Sequence, residues 1–510
     1  MVSRSGLGRR LAALGLWAPA MLLAPVVVVS QDRLVGLESE LLYTASCGFV
    51  PLLVLGVVTS VVVPLASVRL VSVVLSGLAT LTLLSQVAQS PTRTRSPAAG
   101  PNLVLITLDT FRADHLARLG GAAPTPNLDK LCADGALFTQ ALSPFPLTAP
   151  AHATLLTGTV RHSLRANGGH LSEPTVVPAL AEAGYRTGAF VSAPVLDRYT
   201  GLHRGFLHYD DRFGTRARFE WLLGPGPVSP RAGDETVSRA LEWLREESDP
   251  AFLWIHLYDP HSPYLPPRGW LPDKAARDAA KEADRQSRRD LDKRSFTHTL
   301  EAGFVASQKL MYRAEITWTD HLVGVITAAL PPETVLVVVG DHGESLDEHQ
   351  YAFNHGRNLF DPSLHVPLIL RWPGKVAAGI EERRLVGLTT VAPTLRLAAG
   401  LEPEGETLLD RLDPAAPTSQ IEAFTPGMEA HRAASGGEAG PVAALRGEGF
   451  KLVVERDGES WYDLVVDPGE MLPQPVPSAQ QHLVAPLRAR VDEPLPKTAP
   501  ERLLSLGYVE

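Results

Sequence analysis

Two kinds of apolar run divide this chain. Residues 11–30, 41–64 and 70–88 are long, almost uncharged stretches, each near the ~20 residues that a membrane-spanning helix needs. Beyond residue 100 the runs become short. NLVLITL (102–108), FLWIHLY (252–258) and TVLVVVG (334–340) are rich in β-branched or aromatic residues and have almost no polar break. Such runs predict strands buried on both faces of a parallel sheet. Amphipathic helical patterns alternate with them. One is TPNLDKLCADGA (125–136), with a Thr-Pro start and helical spacing of Leu128, Leu131 and Ala136. Residues 101–400 therefore read as an α/β sandwich around a mostly parallel sheet. AALRGEGFKLVVERDGESWYDL predicts a hairpin around Arg456-Asp457-Gly458, within a small antiparallel subdomain over 441–510. The stretch 401–440, rich in Pro, Gly, Ala and Glu, reads as a loop or boundary. Residues 91–100 read as a polar linker, and the charge-dense 273–300 as a solvated helical insertion or a lid over a cleft.

Charge orients the long apolar stretches. Arg4, Arg9 and Arg10 precede the first, Arg69 lies between the second and third, and the intervening QDRLVGLESE is acidic on balance. The positive-inside rule puts the N-terminus and Arg69 in the cytoplasm, and everything after residue 90 outside it. A cleaved export signal is the competing reading of the first stretch alone. The expectation is a multi-pass membrane anchor carrying an extracytoplasmic domain. A net charge of -9 over 510 residues, with no basic cluster, speaks against a nucleic-acid partner. Two cysteines, Cys47 and Cys132, make no disulfide framework and read as structural thiols.

The chemistry collects at strand ends. The three short runs lead into Asp109, into Asp259-Pro260-His261 and into Asp341-His342. Open α/β sheets bind ligands beyond the carboxyl ends of their strands, so these groups would meet at one edge and hold a cation. In PLTAPAHATLLTG (146–158), Thr148 opens a helix with Pro150 in its first turn. Its hydroxyl is either an N-cap or a nucleophile. Beside a metal held by Asp109, Asp341 and His342 it would attack phosphorus or sulfur in line, with the helix N-terminus balancing the ester oxygens.

The ordered strings NLVLITLDTFRADHL, SPFPLTAPAHATLLTG, ALAEAGYRTGAFVS, LWIHLYDPHSPY, VVGDHGESLDEH and HVPLILRWPG resemble the sulfatase family of the alkaline phosphatase superfamily. The resemblance implies an alkaline-phosphatase-like sandwich with Asp109, Asp341 and His342 as metal ligands. It implies that Thr148 is both nucleophile and ligand, and that His261 and His355 bind ester oxygens or, with Asp259, a second metal. The departures narrow this. Sulfatases oxidise a cysteine or serine, followed by x-P-x-R, to formylglycine; here those positions are Thr148 and His152, which implies no formylglycine. Thr110 replaces the second of two paired aspartates, and His342 replaces an asparagine. The imidazole favours manganese or zinc over calcium or magnesium. These changes resemble the threonine-nucleophile branches: phosphodiesterases and membrane-anchored phosphoglycerol and phosphoethanolamine transferases. The implied activity is metal-dependent hydrolysis or transfer of phosphate (or sulfate) esters outside the membrane, through a covalent threonine, on a substrate such as a lipid headgroup or glycan. The competing readings are a sulfuric ester hydrolase without formylglycine and an inactive binding protein. Arg112, His152, Asn167 and His170 are weaker candidates for substrate contacts. Glu344 and Asp347 read as solvated charges, and His256 as a satisfied core histidine.

Overall fold

The computed structural model describes residues 97–160, 170–213, 229–267, 269–271, 278, 300–417, 420–425 and 441–492. The three predicted membrane spans, nearly all of the charged insertion and Asn167 lie outside them. No described helix is long and apolar enough to cross a membrane.

Eight strands form the main sheet. They are β1 (Leu103–Leu108), β2 (Ala136–Leu142), β3 (Arg186–Val191), β4 (His208–Asp210), β5 (Ala251–Leu257), β6 (Val335–Gly340), β7 (His365–Arg371) and β8 (Ile380–Gly387). Their order is β4-β3-β5-β1-β6-β7-β2-β8, and β7 alone runs antiparallel to its neighbours. The three apolar runs are the central strands β5, β1 and β6, buried along their whole length. Burial on both faces explains why they lack polar alternation.

Strand alternation sends Leu103, Leu105, Trp254 and Val337 into one core, shared with the helix Thr148–Thr157. Val104, Ile106, Leu253 and Val338 enter the other core, beneath the helices Pro126–Asp134, Gly233–Glu246 and Ala302–Ala329. Each buried leucine contributes about 1.5–3 kcal/mol of transfer free energy. In the 125–136 pattern, Leu128 and Leu131 lie on the helix, but Ala136 opens β2, because the chain breaks at Gly135. A Cβ at Gly135 would come 2.4 Å from the Leu370 carbonyl oxygen.

A second, antiparallel sheet has the order β12-β11-β10-β9, formed by β9 (Ile421–Thr425), β10 (Val442–Gly447), β11 (Phe450–Glu455) and β12 (Gly458–Asp463). The hairpin around Arg456-Asp457-Gly458 is β11–β12. The 401–440 stretch is more than a loop. It carries the helix Leu408–Leu412, opened by a Thr407/Asp410 capping box, and the edge strand β9. Lys451 of β11 is fully buried. Its Nζ lies 2.9 Å from the Leu359 carbonyl and 2.5 Å from both Asp361 and Glu470, tying this sheet to the segment that follows His355.

Candidate metal-centred active site

Register places the first ligands. Leu108 at the end of β1 pairs with Leu257 of β5 and Gly340 of β6. The next residues, Asp109 and Asp341, therefore leave the sheet side by side at its carboxyl edge. The Asp109 amide donates to Leu257 O (2.9 Å) and the Asp341 amide to Leu108 O (3.2 Å). Both carboxylates are fully buried. Asp341 Oδ1 accepts from the amides of Thr110 (3.2 Å) and His342 (2.7 Å). Asp109 Oδ1 and Oδ2 and Asp341 Oδ2 have no hydrogen-bond partner among the described residues. Burial pushes both carboxyls well above the usual carboxylate range, and the Asp109 charge adds to the effect on Asp341. Thr110 between them holds a left-handed backbone (φ 52°), a strain of order 1–2 kcal/mol for a β-branched residue. Its carbonyl is held by the Tyr312 hydroxyl (2.7 Å).

His342 completes a cluster with the two aspartates. Its Nδ1 donates to Gly343 O (2.8 Å), so Nε2 is the acceptor, 3.6 Å from Asp109 Oδ1 and 3.7 Å from Asp341 Oδ2. The Thr148 hydroxyl approaches the same Nε2 at 3.1 Å. The helix begins at Thr148, and the capping position belongs to the extended Leu147. Thr148 is thus not the N-cap; its side chain turns into the cluster, at the positive end of the helix.

Two buried like charges with bare oxygens would each cost several kcal/mol without a counter-ion. The donor set of two carboxylates, one imidazole and one hydroxyl therefore fits a divalent cation.

Two further histidines flank this centre. His256 pairs in register with Thr107, and its Nδ1 lies 3.1 Å from Thr107 Oγ1. Its Nε2 has no hydrogen-bond partner and lies 3.4 Å from Asp109 Oδ2. His256 is thus aimed at the site and is not a satisfied core histidine. The signal was present in the sequence: the strand period puts 107 and 109 on one face, and aligning the strand ends sets 256 beside 107. Burial lowers His256 to about 3. His152 is held on both nitrogens, by Thr148 O (2.8 Å) and Thr107 Oγ1 (2.9 Å), so it braces the first turn of the Thr148 helix.

At the half-buried mouth, His261 Nε2 and His355 Nε2 face each other at 3.0 Å. Burial holds them neutral, lowered to about 3 and about 4. Their third neighbour is Glu344, not Asp259. Asp259 turns to the opposite helix layer, where Oδ1 accepts from Gly233 N (3.3 Å) and Trp318 Nε1 (2.8 Å). Glu344 is fully buried instead of solvated. Burial raises it to about 8, against the pull of the Tyr264 and Ser262 hydroxyls. No local pattern distinguishes it from a surface glutamate; at the preceding Gly343 the backbone passes so close to Pro362 that a Cβ would come 2.0 Å from the Pro362 carbonyl oxygen.

Two other candidates are occupied elsewhere. Arg112 binds Asp114 (2.7 Å), Glu348 (2.9 Å) and Glu344 O (3.1 Å), holding the loop after Asp341-His342. The nitrogens of His170 meet Tyr199 O and Arg204.

A sheet edge that presents buried acids and imidazoles to a helix-borne hydroxyl defines an ester hydrolase of the alkaline phosphatase superfamily. The chain belongs to the sulfatase family, whose model matches residues 101–401. It is 25% identical over 438 residues to an arylsulfatase of Clostridium perfringens, covering 73% of this chain and 89% of that protein. It is also 25% identical over 393 residues to the multifunctional alkaline phosphatase superfamily protein PehA of Trinickia caryophylli, covering 60% and 76%. The phosphonate monoester hydrolase of Agrobacterium radiobacter shares the fold, with TM-score 0.57, 24% identity, and coverage of 80% and 95%. The protein is a sulfatase-family hydrolase.

Proposed function

We propose that the protein cleaves or transfers phosphate esters through a covalent Thr148 intermediate, with a divalent cation, manganese or zinc, held by Asp109, Asp341, His342 and Thr148 itself. The observation that carries this is the Thr148 hydroxyl, 3.1 Å from His342 Nε2, beside aspartate oxygens that have no partner. When bound, the cation lowers the pKa of the hydroxyl and neutralises ester charge. Thr148 Oγ forms a bond to phosphorus as the bond to the ester oxygen breaks, and the departing alkoxide takes up a proton. The first turn of the Thr148–Thr157 helix, whose N-cap Leu147 makes no side-chain capping hydrogen bond, offers its dipole to the non-bridging oxygens. Water or an acceptor alcohol then displaces the threonine from phosphorus and restores the hydroxyl.

Phosphate is favoured over sulfate because of the nucleophile. A hydrated aldehyde expels sulfate by elimination, whereas threonine has no second geminal hydroxyl, so a sulfated threonine must await slow attack by water. The relatives include a protein named as an arylsulfatase, so turnover of an aryl sulfate without formylglycine is the second reading. The three apolar stretches before residue 90 and their flanking arginines support a membrane-anchored enzyme acting outside the cytoplasm on a headgroup or glycan.

The test compares the full chain, loaded with manganese or zinc, on an aryl phosphodiester, phosphomonoester and sulfate. Phosphodiester turnover that disappears in Thr148→Ala supports the proposal. Sulfate turnover that survives the substitution sinks it.

A further inference from the structure

The turns that follow β12 carry apolar side chains that the fold does not use. Val465, Val466, Met471 and Leu472 are 81%, 75%, 62% and 62% exposed. A single exposed aliphatic residue is ordinary, but four on adjoining turns mark a surface that something covers. Turns favour Gly, Pro, Asn, Asp and Ser, so turn chemistry does not ask for large aliphatic groups here. Within 464–477 the only charged residues are Asp467 and Glu470, and both are buried. The exposed surface of this stretch therefore carries no charge.

The backbone of these turns is closed on itself. Asp463 Oδ1 accepts from the amides of Val465 (3.0 Å) and Val466 (3.3 Å). The Asp467 amide donates to Asp463 O (2.7 Å), the Glu470 amide to Asp467 O (3.1 Å) and the Leu472 amide to Asp467 Oδ2 (2.7 Å). Pro468 and Pro473 have no N–H to satisfy. Peptide groups that are already paired can leave water at little cost, which is what a lipid environment demands. We propose that the loop 465–472 is a lipid-docking tip, entering the interfacial layer of the bilayer that anchors the chain.

Lipid is favoured over a protein partner for three reasons. Four aliphatic side chains expose on the order of a few hundred Å², against the ~800 Å² that each partner of a stable dimer buries. An uncharged stretch also lacks the charged rim that orients most protein partners. The apolar stretches 11–30, 41–64 and 70–88 would keep the domain beside a bilayer, where the weak affinity of a few side chains suffices at high effective concentration. The loop is also tied to the site. Glu470, beside Met471, accepts from the Asp361 amide (2.7 Å), and Lys451 joins both acids to Leu359 O (2.9 Å). Docking would thus hold the segment that follows His355 against the lipid surface, which suits a headgroup substrate. The inference rests on the reading of the three apolar stretches as a membrane anchor.

The experiment places the full chain in phosphatidylcholine vesicles, with Met471→Cys or Val465→Cys carrying an environment-sensitive fluorophore. Asp457→Cys, in the turn at the opposite end of β12, is the control. Cys132 is buried, and every chain carries Cys47→Ser. Flotation after alkaline carbonate washing reads the anchor, and quenching by lipids with a nitroxide on the acyl chain reads the tip. The expected result is a chain that floats, with labels at 471 and 465 shifted to the blue and quenched by the nitroxide, and the label at 457 unchanged. A floating chain whose 471 and 465 labels behave like the one at 457 overturns the docking and leaves the anchor standing. A chain stripped from the vesicles by carbonate overturns the anchor, and the proposal with it. A blue shift that follows protein concentration and ignores the nitroxide means that a second copy covers the tip, which also overturns the proposal.

Discussion

The Thr148 hydroxyl and His342 Nε2 lie 3.1 Å apart, although 194 residues separate them along the chain. Since His342 Nδ1 donates to Gly343 O, Nε2 must accept, and the proton in this contact belongs to threonine. The proposed nucleophile is thus held by a group that would share its metal. The geometry follows from helix register: beginning the helix at Thr148 itself aims the side chain at the sheet edge, where a cap would have turned it back on its own backbone.

Thr148→Ala is expected to lower phosphodiester kcat by at least about 1000-fold, as loss of a covalent nucleophile generally does. Thr148→Ser, which keeps the hydroxyl, should retain most of the activity. Intact-mass measurement after acid quenching should show a phosphorylated chain in the wild type and none in the alanine variant. A labelled alanine variant would place the nucleophile elsewhere.

Asp341→Asn should raise the stability of the metal-free protein while abolishing its stabilisation by metal. Asp109 and Asp341 are both buried, with three bare oxygens between them, so neutralising one removes like-charge repulsion worth a few kcal/mol. Calorimetry with chelator and with Mn2+ reads both effects. A metal-free Tm that falls in this variant would show that the pair is compensated by the protein itself.

Glu470 predicts a pH dependence away from the active site. Burial raises its carboxyl to about 7 from an ordinary value of 4.5, against the pull of Lys451. A raised acid stabilises the fold fully below its unfolded pKa, and that contribution disappears as pH climbs through the folded value. Stability should therefore fall between about pH 4.5 and 7, by on the order of 2 kcal/mol. Glu470→Gln should flatten the slope in urea midpoints measured across this range. An unchanged slope would mean that Glu470 is ionised in the fold.

Lys451→Met should destabilise the protein by about 3–5 kcal/mol, since it leaves Asp361 and Glu470 buried without their cation. Adding Glu470→Leu to the same chain should recover part of the loss. Because Lys451 also grips Leu359 O, close along the chain to His355, the single variant should lose phosphodiester activity at temperatures where it is still folded. Full activity there would limit Lys451 to a stabilising role.

Local pattern reached the parts of this molecule that local pattern controls. Unbroken apolar runs of strand-forming residues can bury both faces only in the middle of a sheet, so β1, β5 and β6 were legible, together with the edge at which Asp109, Asp341 and His342 gather. The hairpin at Arg456-Asp457-Gly458 was legible from its turn. The strand β9 was not: it is a short edge strand in a Pro- and Gly-rich stretch, and its partner β10 supplies the pairing that defines it.

What the sequence determined by itself was the type of chemistry: acids and imidazoles at strand ends, and a hydroxyl opening a helix. The tertiary structure decided which side chains share a centre. Asp259 and His261 are two residues apart, yet one caps the Gly233 helix beneath Trp318 and the other meets His355. His256 and Glu344, which look like a core histidine and a surface acid, face the site because strand register and the close backbone approach at Gly343 carry them there. Residue type sets which ligands are available, but proximity across 94 or 194 residues depends on how the strands align and how the helix starts, and no local signal encodes that alignment.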